Sequence, residues 1–342
     1  MVDRKAKPQA RWRGLVTGLR LALVAGSVWA LRREFSGTSP AALLRRFGSY
    51  GSSHLALALA AVIASFLLLG AIELLALRTQ PGASSGVNAR TAFATAFVAH
   101  AFSQAIGVAL LTGTAVRLRS YERSGMTGTD VAQVSAAVTL TITLGLLAAS
   151  GWALLTRSLP IVVAGHSLAV RPIGALLCLT VLAWLAWSVV GRGVRPGTGR
   201  WRIPRPAPLT ALAQIALSAT DWLVTAVVLL VFIPPSVGLG VIAFLQLCII
   251  AQLVGVLSHV PAGAGVFEVA LLALITTARP DADRAGVLAA LVMYRAVYYL
   301  LPLVAAMILA GGSEWWKRRR KTSLRGVPAL TTGTPGLAAH GD

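Results

Sequence analysis

Charge is what this chain has least of, and negative charge is scarcest. Only 12% of its 342 residues are Asp, Glu, Lys or Arg, and 11 acidic residues face 31 basic ones. Hydrophobic residues make up 56% and the mean hydropathy is +0.75, which excludes a soluble globular domain and indicates a membrane protein. Cysteine is nearly absent as well: Cys178 and Cys248 each lie inside an apolar run. There is no C-x-x-C, no H-E-x-x-H and no metal-ligand spacing among the five histidines, so neither a disulfide framework, a metal nor a cofactor is expected. A basic excess is one mark of nucleic-acid binding. Here the Lys and Arg residues lie mostly in short segments flanking apolar runs, which is the positive-inside pattern of membrane proteins, and nucleic acid is excluded as a partner.

What is present is a series of apolar segments long enough to cross a bilayer. The fold class expected is an all-α, polytopic membrane bundle of about eight spans. Residues 1–52 form a basic N-terminal region. Within it, residues 14–31 are apolar apart from Arg20 and suit a first membrane helix or one lying at the interface; they are expected to be retained, since the run ends in Leu31-Arg32-Arg33-Glu34 with no clear small-x-small cleavage site before it. Residues 53–312 form the membrane domain, with spans near 54–77, 91–116, 132–156, 173–190, 208–233, 239–257, onward to 278, and 286–311. Residues 313–342 form a tail that opens with Trp315-Trp316 and Lys317–Lys321, suited to anionic cytoplasmic lipid, and becomes rich in Gly, Pro, Thr and Ala. Arginine counts place 117–131 and 191–207 inside, with three and five, and 78–90, 157–172 and 279–285 outside, with two each. The start of the 54–77 span is then cytoplasmic and 14–31 interfacial.

One stretch interrupts the apolar pattern. Gly255 to Glu268 reads GVLSHVPAGAGVFE and packs Ser258, His259, Pro261, Gly263 and Gly265 ahead of a carboxylate. Proline removes a helix hydrogen bond and glycine weakens a helix, so the element is broken or re-entrant, or else a short loop between two ordinary helices. At membrane depth a break needs protein or a wet cavity around it. A faint internal repeat accompanies it: Ser103-Gln104 with Gly107 and Gly113 parallels Ser258-His259 with Gly263 and Gly265.

Glu73, Asp221, Glu268 and Arg295 stand inside apolar runs, and Arg117 closes one. Each charge at a helix centre costs about 2.5–3.5 kcal/mol on insertion scales, so these groups should face the interior and find partners. By depth, Arg295 is expected to pair with Asp221 or Glu268, whereas Glu73 and Arg117 fall towards opposite ends of their spans. Tyr294 and Tyr298 share one helix face, and Arg295 and Tyr299 the adjacent one. Interhelical salt bridges and ordinary packing are the alternative to a binding role.

Several segments together resemble a known family. Residues 101–123 read AFSQAIGVALLTGTAVRLRSYER, 219–223 read ATDWL, 258–268 read SHVPAGAGVFE and 291–302 read LVMYRAVYYLLP. In this order they are similar to the membrane domain of the lysylphosphatidylglycerol synthase and flippase family, also called multiple peptide resistance factor, over roughly residues 14–312. The resemblance implies movement of aminoacylated phosphatidylglycerol from the inner to the outer leaflet of a bacterial cytoplasmic membrane, which repels cationic antimicrobial peptides. It implies functional roles for Glu73 before A-L-R, Arg117 in G-x-x-V-R, Asp221 before Trp222 and Glu268 closing the glycine-rich element. Ala262 departs from the family's paired glycines. The chain ends about thirty residues past the last span, so the family's aminoacyltransferase domain, and enzyme activity with it, is not expected.

The function expected is therefore translocation of a phospholipid, with Glu73, Arg117, Asp221, Glu268 and Arg295 as substrate-binding groups. A separate synthase or a second copy of the chain are the protein partners left open. The alternatives are a secondary transporter of a small solute or ion, a membrane enzyme, for which no catalytic cluster is apparent, and a non-transporting partner of a lipid-modifying enzyme.

Overall fold

The computed structural model describes residues 50–79, 86–106, 109–156, 162–163, 166–167, 169–190, 206–260 and 263–310, with Arg45 and Gly48 before them. The N-terminal region with its 14–31 segment, Pro261 and the basic tail lie outside the described residues. The chain is a bundle of α-helices. Five are long and apolar enough to cross a membrane: α1 (Ser52–Arg78), α4 (Gly128–Thr156), α5 (Arg171–Val190), α6 (Pro208–Leu230) and α9 (Arg284–Ala310). Helix α9 widens into a π-helical turn over Arg295–Leu300. A two-residue antiparallel ladder, Val162–Val163 with His166–Ser167, lies between α4 and α5.

The remaining apolar segments form two hairpins. Helices α2 (Ala89–Ile106) and α3 (Ala109–Tyr121) occupy the stretch expected as one span near 91–116. They pack antiparallel. A Cβ on Gly113 would stand 3.2 Å from Ser103 Oγ, and further from the turn Tyr121 hydrogen-bonds Thr95. A span and a hairpin have the same apolar composition, so hydropathy does not separate them. The second hairpin pairs α7 (Val241–Leu257) with α8 (Val266–Ala278), and there Gly255 lies against Gly263 and Phe267. The 17 residues of α7 reach about 26 Å, short of the roughly 30 Å hydrocarbon core. The Gly255–Glu268 stretch is thus the turn of a hairpin.

The two hairpins belong to two related halves. Helix, hairpin, helix occurs as α1, α2–α3, α4 and again as α6, α7–α8, α9. Ser52 and Pro208, which open α1 and α6, stand as far apart in sequence as Gly128 and Arg284, which open α4 and α9. Ser65 and Asp221 are each the fourteenth residue of their helix, 156 residues apart, and they hydrogen-bond each other. Helices α1 and α6 run antiparallel: Tyr50 Oη donates to the Phe232 carbonyl at one end while Ser65 meets Asp221 midway. Equivalent positions touching across antiparallel helices are what a two-fold axis between inverted halves produces. Small residues let other helices close in. A Cβ on Gly145 of α4 would fall 2.1 Å from Ser218 Oγ of α6, and one on Gly174 of α5 would fall 3.1 Å from the Gly151 carbonyl of α4.

Candidate functional site

The charged residues picked out in the sequence fall into three groups along the interior. The first joins α1 to the first hairpin. Arg117 Nε donates to both oxygens of Glu73 at 2.8 and 3.0 Å, its Nη2 donates to Oε2 at 2.6 Å, and Tyr121 Oη donates to Oε1 at 2.8 Å. The side chains of Arg117 and Glu73 are 4% and 0% exposed. This forked geometry satisfies the carboxylate with protein donors and leaves it little access to anything else. The expectation that these two residues sit at opposite ends of their spans is corrected here. The chain reverses after α2, which returns Arg117 to the end of α1 that carries Glu73.

The second group joins the second hairpin to α9. The backbone turns through His259 (φ 54), Gly263 (φ 58) and Gly265 (φ 83), all in the left-handed region. Glycine adopts that region freely; a non-glycine residue there is uncommon. His259 is exposed, and its Nδ1 lies 2.8 Å from the Leu257 carbonyl, so it serves the turn. Ser258 Oγ donates to the Gly255 carbonyl at 2.6 Å and so closes the end of α7. Gly265 starts α8, and its N–H donates to Glu268 Oε2 at 2.7 Å. The other Glu268 oxygen accepts from Arg295 Nε at 2.5 Å and forms an ion pair with Nη2 at 2.5 Å. Arg295 thus pairs with Glu268 and not with Asp221. Its guanidinium lies 4.4 Å from the Tyr299 ring centroid and 5.9 Å from that of Phe267. With 23% of its side chain exposed, Arg295 is the more open of the two arginines. The π turn brings Tyr294 and Tyr298 into a stack at 5.5 Å, with Tyr299 edge-on to both.

Asp221 is the centre of the third group. It is 5% exposed, near the middle of α6, and has no ion pair among the described residues. Ser65 Oγ donates to Asp221 Oδ1 at 2.5 Å, Ser65 Oγ and Tyr298 Oη lie 3.0 Å apart, and Thr225 Oγ1 donates to Tyr298 Oη at 3.0 Å. Ser65, Thr225, Tyr121 and the bridging role of Tyr298 are not apparent from the sequence, because hydroxyl residues in apolar helices are common. The constant spacing between the halves is the signal that sets Ser65 opposite Asp221. Among the described residues no group of three His, Cys, Asp or Glu side chains could hold a metal ion.

No family model matches the chain. It is 31% identical over 283 residues to the protein slr0712 of Synechocystis, covering 82% of this chain and 85% of that one. It is also 26% identical over 263 residues to the inner membrane protein YbhN of Escherichia coli, covering 75% and 79%.

Proposed function

This chain belongs to the family of the Synechocystis protein slr0712, and we propose that it is a multi-pass lipid translocase of the bacterial cytoplasmic membrane. It carries the headgroup of a phosphatidylglycerol-type lipid, aminoacylated or plain, between leaflets, and it does not synthesise that lipid. One observation carries the proposal: two inverted helix–hairpin–helix halves meet at a buried carboxylate, and a glycine-built hairpin beside it presents a partly open arginine–glutamate pair. Inverted halves with interrupted helices at their contact are the plan of many transporters. Arg295 supplies the charge and Tyr299 the ring face for a lipid phosphate, and Glu268 and Asp221 suit the amine of an aminoacyl headgroup. Glu73 and Arg117 act by bracing the first hairpin. The likeness to the lysylphosphatidylglycerol flippase segments favours a lipid over a soluble solute.

A leaflet-resolved assay tests the function. Purified protein in liposomes should move labelled lysyl- or alanyl-phosphatidylglycerol or phosphatidylglycerol across the bilayer. A failure to move any of the three, with uptake of a soluble solute in its place, would overturn it.

A further inference from the structure

We infer that Asp221, with Ser65, Tyr298 and Thr225, forms a proton-binding site that links lipid movement to the transmembrane proton gradient. The inference rests on the translocase reading for its role in transport, but the binding site itself does not.

The number of hydroxyl hydrogens fixes the direction of each bond. Ser65 has one hydroxyl hydrogen and gives it to Asp221; Thr225 gives its own to Tyr298. The 3.0 Å contact between Ser65 and Tyr298 must then be filled by the Tyr298 hydrogen. With Asp221 ionised, the three hydroxyls point one way, Thr225 to Tyr298 to Ser65 to Asp221. If a proton from water enters at Thr225 Oγ1, Thr225 passes its original hydrogen to Tyr298, Tyr298 passes its own to Ser65 and Ser65 passes its own to Asp221, so that Asp221 gains one proton, each hydroxyl keeps one, and the three bonds run from Asp221 back to Thr225. The three contacts are kept in both states, and the new Thr225 hydrogen faces the side from which the proton came. A buried carboxylate lacking such a reversible chain would favour one state strongly.

Among the described residues on the helices packed against α6, the other buried carboxylates are already paired with arginines. On α1, Glu73 is held by Arg117; on α9, Arg295 is held by Glu268, and Tyr298 is part of the chain itself. Helix α7 contributes Cys248; α5 contributes Arg171 at its start and Cys178, which packs at Gly151; Asp130 of α4 is half-buried at its helix start and bonded to Thr127. Helix α6 carries no other ionisable residue. The position supports coupling. Asp221 and Ser65 join the two halves at equivalent places, and Tyr298 sits in the π turn that also holds Arg295. Asp221 is thus linked through Ser65, Tyr298 and Tyr299 to the arginine proposed to hold the lipid phosphate.

The test uses the full chain in phosphatidylglycerol liposomes. Infrared difference spectra recorded across a pH titration should show a protonated carboxyl band that Asp221→Asn removes, and that Tyr298→Phe retains at a displaced frequency. Identical spectra for wild type and Asp221→Asn at every pH would overturn the site. In the leaflet-resolved assay, a one-unit pH step should drive up to about tenfold lipid asymmetry if one proton moves per lipid. Asp221→Asn should erase that asymmetry, with helix content and elution from size exclusion preserved. Asymmetry driven by sodium and not by pH would also overturn the proposal. A band sensitive to Asp221→Asn with no lipid movement sinks the translocase and leaves the proton site standing. Lipid movement with neither band nor pH response does the reverse.

Discussion

The two hairpins answer the same problem in opposite ways. In the first, the arginine is on the hairpin and the carboxylate on the long helix; in the second the roles are exchanged, Glu268 being on the hairpin and Arg295 on the long helix. The first pair is sealed, with three arginine contacts and a tyrosine all spent on Glu73. The second shares one carboxylate oxygen between two guanidinium nitrogens, anchors the other to a backbone N–H, and leaves Arg295 partly open beside aromatic faces. A sealed pair with full satisfaction fixes geometry. An open pair hung on a glycine turn can exchange its partner for a ligand. One fold therefore holds a sealed pair between α1 and α3 and an open pair between α8 and α9.

The largest effect should come from breaking the brace on one side. Glu73→Ala or Arg117→Ala leaves a buried charge unpaired and should destabilise by about 3–5 kcal/mol, read as a lower thermal midpoint in detergent. Replacing both at once, Glu73→Leu with Arg117→Met, should restore most of that stability. Removal of Arg295 alone should cost less, about 1–3 kcal/mol, because solvent reaches the pair. Equal losses at the two sites would erase the distinction drawn between them. Next in size is Gly265→Ala. A side chain at φ 83 costs about 1–2 kcal/mol and displaces the N–H that holds Glu268, so transport should fall more than stability does. The smallest effect belongs to Tyr299→Leu, which removes a ring face worth about 0.5–1 kcal/mol to Arg295; lipid affinity should drop severalfold and the thermal midpoint should hardly move.

Much of this arrangement was legible in the residues. Apolar runs located all five long helices, and the cost of burying charge singled out Glu73, Arg117, Asp221, Glu268 and Arg295. The i, i+4 spacing set Tyr294 against Tyr298 and Arg295 against Tyr299. Three things were hidden. The reversal after α2 has no breaker as loud as the Pro and Gly cluster near 261, so one span was expected where two helices pair. The Glu73–Arg117 contact follows from that reversal and was hidden with it. The partners of Asp221 are hydroxyls, whose chemistry in a helix becomes specific only when another helix brings them within reach. The offset of 156 residues between the halves, and with it the meeting of Ser65 and Asp221, emerges from the helix starts and not from the residues themselves.

The central claim, that the open pair handles the lipid while the sealed pair only holds the fold, is met most directly by one paired measurement. Two doubly substituted proteins, Glu73→Leu with Arg117→Met and Glu268→Leu with Arg295→Met, are compared in the leaflet-resolved lipid assay at matched thermal stability. The account predicts near wild-type lipid movement in the first and a loss of at least about tenfold in the second, equivalent to roughly 1.4 kcal/mol of lost stabilisation. Lipid movement that survives the second pair of substitutions, or that disappears equally in both, would contradict it.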